Sequence, residues 1–161
     1  VSAPSAGVNE TYFDALGTAL RAGRAFTEAD RHPSAPPAAI VNEPFVRQHL
    51  AGASPIGRRF RVIADGGPGP WMDIVGVVPD LGLSIGNPDF AAGFYTPLRS
   101  DTDVVYLAAR VQGEPLAFVE PIRETLRQHD AEAVPFRFVR LQDVAADARA
   151  FFAGFSQALL G

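Results

Sequence analysis

The chain has 161 residues, a formal net charge of -4 and no cysteine, and its 47% hydrophobic and 20% charged residues are typical of an ordered globular protein rather than a disordered one. The acidic balance argues against nucleic acid as a partner, because phosphate binding needs clustered cations, and the lack of cysteine excludes disulfides, thiol catalysis and cysteine-based zinc sites. No run reaches the roughly 18 apolar residues of a membrane span, and no signal peptide is recognisable at the start.

The N-terminal part predicts short elements joined by loops. Its first seven residues, VSAPSAG, are small and include a proline, which is typical of a loose lead-in. Residues 9–11 (NET) are suited to capping a short aromatic helix, which Gly17 would close. Residues 26–30 predict one capped helical turn, and the three prolines of residues 31–37 predict a loop.

Residues 36–62 form the most readable stretch of the chain. Ala38–Val41 is a short apolar run that predicts a strand, and Asn42 is suited to capping the helix that follows. Glu43 and Pro44 fit the first turn of that helix, where a carboxylate meets the positive end of the dipole and a missing N–H costs nothing. The helix is expected to end at residues 51–52 (Ala-Gly), and the charge alternation of residues 58–63 predicts a half-buried strand.

The next stretch predicts a hairpin and two strands. Residues 64–70 (ADGGPGP) have the composition of a hairpin connection, and residues 71–78 (WMDIVGVV) read as a largely apolar strand. Residues 79–89 are expected to form a loop. Residues 94–98 predict an edge strand because they contain Pro97, which cannot donate a ladder hydrogen bond.

From residue 103 the pattern becomes strand–helix–strand. Val104–Val111 and Val134–Leu141 predict strands, and Glu114-Pro115 opens a helix that continues to His129. A crossover of this length implies two parallel strands, which need not be neighbours in the sheet. Pro121 is expected to kink the helix, because one hydrogen bond is lost there. The fold class is therefore α+β.

The segment Gln142–Gly161 is helical by its apolar spacing, and its last charge is Arg149. The twelve residues after Arg149, AFFAGFSQALLG, are apolar nearly all round but too short to cross a bilayer. One interpretation is a terminal helix buried against the core. The other is a helix cut off where it enters a membrane.

Five segments in succession carry a family resemblance: VNETYFDALG, LRAGRAFTEAD, AAIVNEPFVRQHL, SPIGRRF and WMDIVGVVPD. Over residues 8–152 the chain resembles the extracytoplasmic (periplasmic) core domain of MacB-type, FtsX-like ABC transporter permeases. The closest likeness is to the large duplicated permeases of soil bacteria.

The resemblance implies a mixed α/β lobe at residues 8–98, inserted next to a half ferredoxin-like strand–helix–strand lobe at residues 103–141. Residues 142–161 would then lead toward a transmembrane span. The family's first strand–helix–strand repeat is expected to lie upstream of Val1, so that the half lobe would be covered by self-association or strand exchange. This chain also departs from the family at Pro121 and at Leu141, where family members tend to carry threonine.

The resemblance also implies a non-catalytic domain on the extracytoplasmic side of the bacterial cytoplasmic (inner) membrane. Cytoplasmic ATP hydrolysis, on a separate nucleotide-binding subunit or domain, would move the membrane helices and through them this domain. The implied partners are the membrane, the ATP-binding subunit and a possible homo-oligomer, but no nucleic acid.

Several residues could carry chemistry, and for each a structural explanation is favoured. They are His32, His49 and His129; Asp101 with Asp103 and Glu28 with Asp30; Ser54 and Ser84; and residues 65–70. The histidines lack ligand spacing, the serines lack a nucleophile-elbow context, and the glycine-rich loop lacks the Lys-Ser/Thr ending of a phosphate loop. The carboxylates lie in capping turns and loops, where solvation is expected. The sequence therefore predicts no catalytic residue, no cofactor and no metal site.

Two binding alternatives remain open. Arg58, Arg59 and Arg61 are interpreted as a solvated strand face, with contact to a partner protein as the other interpretation. A ligand-binding module would instead have a cleft between lobes, around Trp71, Phe94 and Tyr95, because aromatic residues often line pockets. A hydrolytic enzyme is the least favoured function, since no nucleophile–base pair can be drawn.

Overall fold

The computed structural model describes residues 3–51, 53–64, 66–83, 91–99, 106–130 and 138–143. The chain divides into two compact units, Val1–Ala108 and Ala109–Gly161. The boundaries predicted for the three segments, 8–98, 103–141 and 142–161, stay a prediction.

The first unit contains eight strands and two α-helices among its described residues. The strands are β1 (Ser5–Val8), β2 (Ala22–Gly23), β3 (Ala38–Asn42), β4 (Arg59–Phe60), β5 (Ile63–Ala64), β6 (Gly67–Pro68), β7 (Met72–Val78) and β8 (Phe94–Pro97). The helices are α1 (Tyr12–Ala15) and α2 (Glu43–His49), and Glu28–Arg31 forms a 3₁₀ turn. The prediction of an α+β fold is confirmed.

Six of the described strands form one mixed sheet, in the order β1-β8-β3-β7-β2, with β4 also paired to β7. β3 lies at the centre, parallel to β7 and antiparallel to β8. The predicted hairpin of residues 64–70 is present as the antiparallel pair β5–β6. The central strand therefore has its two partners far away in the sequence.

The core of the first unit lies on both faces of this sheet. On one face, Phe45 of α2 packs with Ala39, Val41 and Phe94. On the other face, Phe13 of α1 packs with Ala38, Ile40, Val78 and Tyr95. Residues of β3 alternate between the two clusters and all five are buried, as expected for a short apolar run covered on both sides.

A β-bulge in β7 changes which face of the sheet its side chains point to. Ala39 pairs with Ile74 while the next residue, Ile40, pairs with Gly76, so that Val75 is an extra residue in the ladder. A one-residue slip in register moves the following side chains to the opposite face. Val77 therefore joins Ile74 in the α2-side cluster although the two are three residues apart.

Two predictions about the sheet edge were wrong. Residues 5–7, expected to belong to a loose lead-in, form β1 together with Val8, and β1 pairs in parallel with β8. β8 is consequently an inner strand and not the expected edge. Pro97 is tolerated there because it is the last residue of β8, and the pairing with β3 involves only Phe94 and Tyr95.

The central strand–helix unit is confirmed in detail. The side-chain oxygen of Asn42 accepts a hydrogen bond from the Phe45 amide at 3.0 Å, and Pro44 lies in the first turn of α2. Ala51, at the predicted end, has a φ of 47° in the left-handed region. The strand predicted over residues 58–63 is shorter, because only Arg59 and Phe60 pair with β7.

The second unit contains a 3₁₀ turn, Pro115–Phe118, followed by helix α3, Val119–His129. The Glu114 carboxylate accepts a hydrogen bond from the Leu116 amide, as expected for the start of this helix. The predicted kink at Pro121 was wrong, because α3 begins only at Val119 and Pro121 lies in its first turn, where no N–H is needed.

The strands predicted to flank α3 are not found in the parts that the structure describes. Residues 106–111 and 138–140 are in no strand, and residues 141–143 are helical. A strand needs a partner for its ladder, and no described strand pairs with these residues. The rest of both predicted strands, and the terminal helix from residue 144, lie outside the described residues. No helix within the described ranges has the length and hydrophobicity to cross a membrane.

Candidate functional site

The surface with the strongest binding character lies where β4 pairs with the first half of β7. The Arg59 guanidinium Nε lies 3.0 Å from the Asp73 carboxylate, and the two residues are cross-strand partners. One step further along, the Arg61 guanidinium lies 4.8 Å from the centre of the Trp71 ring. Trp71 is 48% exposed, which is a large fraction for an indole. Arg and Trp stacked in this way on a surface are typical of binding hot spots.

A shallow apolar groove of about 570 Å³ continues from this ladder. It lies between the two strands that share this edge of β7, with β4 beside the start of β7 and β2 beside its end. The groove is lined by Gly23 and Arg24, by Ile56 and Gly57, and by residues 73–75 of β7, among which the Ile74 side chain belongs to the core. Asp73 lines the groove and also pairs with Arg59, so the two surfaces are continuous. We call the groove together with Arg59, Arg61, Trp71 and Asp73 the β4–β7 face.

The Asp30 carboxylate holds Arg24, one of the residues that line the groove, in place. Asp30 accepts two hydrogen bonds from the Arg24 guanidinium, at 2.7 and 2.9 Å, and a third from the Thr27 amide at 2.7 Å. These bonds, above all those from Arg24, hold the pKa of the Asp30 carboxyl down at about 2. The turn predicted to be capped at residues 26–30 is thus also a clamp on Arg24.

Because the pKa of Asp30 is lowered by folding, its contribution to stability is present above pH 4 and is lost as the pH falls from about 4 to 2. We expect Asp30→Asn to lower the free energy of unfolding by about 1 to 2 kcal/mol at pH 7, a value discounted for solvent screening. At pH 2 the variant and the native chain should differ little. Urea unfolding at both pH values measures this.

The matched control is Glu28→Gln, which removes a carboxylate from the same exposed turn and should change stability by less than about 0.5 kcal/mol. An Asp30→Asn loss of the same size at pH 2 and pH 7 would show that the carboxylate charge is not what stabilises the turn.

The prediction that Trp71, Phe94 and Tyr95 line one aromatic cleft was wrong. Phe94 and Tyr95 are 4% and 0% exposed and belong to the two core clusters on opposite faces of the sheet. Adjacent residues in a strand point to opposite faces, so they could not line one pocket. Trp71 alone is accessible. Arg59 and Arg61 lie beside Trp71, so for these two arginines contact with a partner protein stays a prediction.

The remaining candidates have structural surroundings where the structure describes them. His32 is exposed and contacts the Ser34 hydroxyl, His49 packs against Phe45, and His129 lies in the last turn of α3. Within the described ranges no three His, Cys, Asp or Glu residues are grouped to hold a metal ion. The backbone oxygen of Ser54 accepts from Arg58, while Ser84, Asp101, Asp103 and Asp65 lie outside the described residues.

Two buried polar groups have features that the sequence did not predict. Asn42 was identified as a helix cap, but it also bonds to residues 91 and 93, some fifty residues away. The Tyr95 hydroxyl is buried and has no hydrogen-bond partner among the described residues, and burial raises the pKa of Tyr95 above its usual value. No local signal in the sequence marks long-range contacts of this kind.

Comparison with known proteins identifies the class. Residues 2–150 match the family described as MacB-like periplasmic core domain, and the chain belongs to that family. The family consists of periplasmic domains of ABC transporter permeases, which are not themselves catalytic, and it places this domain on the extracytoplasmic side of the inner membrane. The resemblance in the sequence is confirmed.

Two solved structures are similar to the chain. One is the periplasmic region of MacB from Actinobacillus actinomycetemcomitans, with 22% identity, a TM-score of 0.49 and coverage of 76% of this chain. The chain spans 55% of the length of that region. The other is the extracellular domain of the noncanonic ABC-type transporter YknZ from Gram-positive bacteria, with 23% identity and a TM-score of 0.37, covering 56% of this chain and 41% of that one. No curated protein matches the chain significantly.

Proposed function

We propose that this domain is the moving extracytoplasmic part of an ABC transporter permease. ATP hydrolysis on a separate cytoplasmic nucleotide-binding subunit or domain moves the membrane helices, and the domain transmits that movement to substrates or partners outside. The observation that carries the proposal is the family match, which extends over residues 2–150.

The construction of the first unit supports this role. Its mixed sheet is packed on both faces, with α2 on one side and α1 on the other, and the central strand is fully buried. Close packing of this kind gives low compressibility, so that a force applied at one point moves the whole body. A domain that works by displacement needs such stiffness and needs no catalytic group.

We assign the link to the membrane to residues 142–161. This segment has apolar helical spacing, and the twelve residues that follow Arg149 carry no charge. A helix that transmits movement must be continuous and stiff. We also propose that the domain consists of one lobe at residues 8–98 and a second at residues 103–141, and that it associates as a homo-oligomer.

The test is to insert a flexible Gly-Ser linker after Arg149 in the full-length permease. We expect ATP hydrolysis to continue while transport is lost, because a flexible linker no longer carries force. Both rates are measured in reconstituted vesicles. Unchanged transport with the flexible linker would contradict the proposal.

The matched control is a helix-forming insert of the same length, built from Glu, Ala and Lys, at the same position. It lengthens the connection equally but keeps it stiff, and it should retain much more transport than the Gly-Ser insert. Equal loss with both inserts would mean that length, not stiffness, is what matters at this point.

A further inference from the structure

The β4–β7 face has the composition of a protein-binding surface. Tryptophan and arginine are the residues most enriched among binding hot spots, and here Trp71 and Arg61 lie in contact and exposed. Ile56, also exposed, borders the apolar groove next to them. A tryptophan that served only the core would be buried.

The charges on this face show what would complement it. Arg59 is paired with Asp73, and Arg24 is paired with Asp30. Arg61 has no carboxylate partner in the part of the chain that the structure describes; its contact is the Trp71 ring. In a chain whose net charge is -4, the face therefore presents in Arg61 a guanidinium that no described carboxylate neutralises. A guanidinium that lies over an indole ring keeps N–H donors available for a carboxylate.

A ligand whose carboxylate binds Arg61 also reaches the groove. Arg61 is next to Trp71, and the groove begins at Asp73 and continues to Val75 on the same strand. The distance from Trp71 to Val75 along a strand is about 13 Å, which four residues of an extended peptide span. The groove, about 570 Å³ in volume, is shallow and open, so a large apolar side chain would lie along it and be covered on one side only.

We propose that the β4–β7 face binds a segment of a partner protein in which a carboxylate and a large apolar side chain lie a few residues apart. The carboxylate pairs with the Arg61 guanidinium, and the apolar side chain enters the groove beside Ile56. This inference rests on the proposed function, since it names the chemistry of the partner on which the domain acts.

Trp71 makes the test direct, because it is the only tryptophan of the chain. The immobilised chain is used to select binders from a random dodecapeptide library, and the selected peptides are titrated while Trp71 fluorescence is recorded. We expect peptides that carry Asp or Glu near a large apolar residue, with a saturable change in Trp71 emission.

Two variants and one matched control locate the binding. Arg61→Gln should weaken binding at least tenfold, and Ile56→Thr should weaken it several-fold. Arg47→Gln removes one exposed positive charge from α2, away from this face, and should change affinity less than twofold. Peptides without a carboxylate, or peptides that bind Arg61→Gln and the native chain equally, would overturn the proposal.

Two other occupants are distinguished in the same assay. A shift of Trp71 emission with anionic phospholipid vesicles but with no peptide would assign the face to a membrane surface and overturn the proposal. If the native chain dimerises in sedimentation experiments and Arg61→Gln abolishes the dimer, the face would be assigned to a second copy of the chain. That outcome would also overturn the proposal. None of these measurements involves ATP hydrolysis, so their failure leaves the linker experiment intact, and failure of the linker experiment leaves peptide binding intact.

Discussion

Asn42→Ala is expected to lower the free energy of unfolding by about 3 to 5 kcal/mol, several times the cost of losing a helix cap alone. Asn42 is 0% exposed, and its side chain makes three hydrogen bonds. Its oxygen accepts from the amides of Phe45 and Gly93, at 3.0 and 2.9 Å, and its nitrogen donates to the Ala91 carbonyl at 2.6 Å. Truncation leaves these backbone groups buried and unpaired.

A second substitution separates the helix cap from the long-range contacts. Asn42→Asp keeps the oxygen that caps α2 but replaces the donor to Ala91 by a second acceptor. Near neutral pH it should therefore be destabilised almost as much as the alanine variant, and it should recover part of the loss in acid, where a protonated carboxyl can donate again.

Urea unfolding followed by far-UV circular dichroism measures both variants. Gln48→Ala is the control, because it removes an exposed amide from the same helix and should cost less than about 0.5 kcal/mol. A loss for Asn42→Ala of only about 1 kcal/mol, the size of an ordinary cap, would show that the bonds to residues 91 and 93 contribute little.

Gly76→Ala is expected to have a similarly large effect, because β2 passes too close to β7 for a side chain. A Cβ at Gly76 would lie 2.6 Å from the Arg24 backbone oxygen and 3.1 Å from side-chain carbons of Ile40 and Leu20. The strand pairing cannot accommodate this without moving backbone atoms. We expect a loss of about 2 to 4 kcal/mol, within the range of overpacking and backbone strain.

Hydrogen exchange locates this loss. The amides of Arg21 and Arg24, which donate to Val77 and Val75, should lose protection, while the amides of the central strand keep theirs. Gly66→Ala is the matched control, since a Cβ there meets nothing within 4 Å. Equal stability of the two alanine variants would show that the approach of β2 to β7 tolerates a methyl group.

Local chemistry in the sequence was sufficient to predict most elements of the first unit. The run Ala38–Val41 with Asn42, Glu43 and Pro44 defines a strand and a capped helix, and the structure confirms both. These signals act over a few residues, so they can be read from neighbours in the chain. The same holds for the hairpin of residues 64–70, whose glycines and prolines mark a turn.

The errors arose where the outcome depends on distant residues. The sequence SAGV at residues 5–8 has no strand signal of its own, and it becomes a strand only because β8 lies alongside. Phe94 and Tyr95 were expected to line one cleft, since an aromatic pair does not reveal that its strand is buried on both faces. Part of the β4–β7 face could be anticipated from the arginines and Trp71, whereas the groove lies where two strands, β2 and β4, share one edge of β7.

The order of strands in the sheet also constrains how the chain reaches its native state. β1 is formed by residues 5–8 and pairs, among the described strands, with β8, which is formed by residues 94–97, so this ladder closes a loop of nearly the whole first unit. Loop closure over such a separation slows folding, and the sheet is complete only once residues 94–97 have joined it. Completion of the sheet therefore depends on a contact between segments at opposite ends of the first unit, which local sequence signals alone do not bring together.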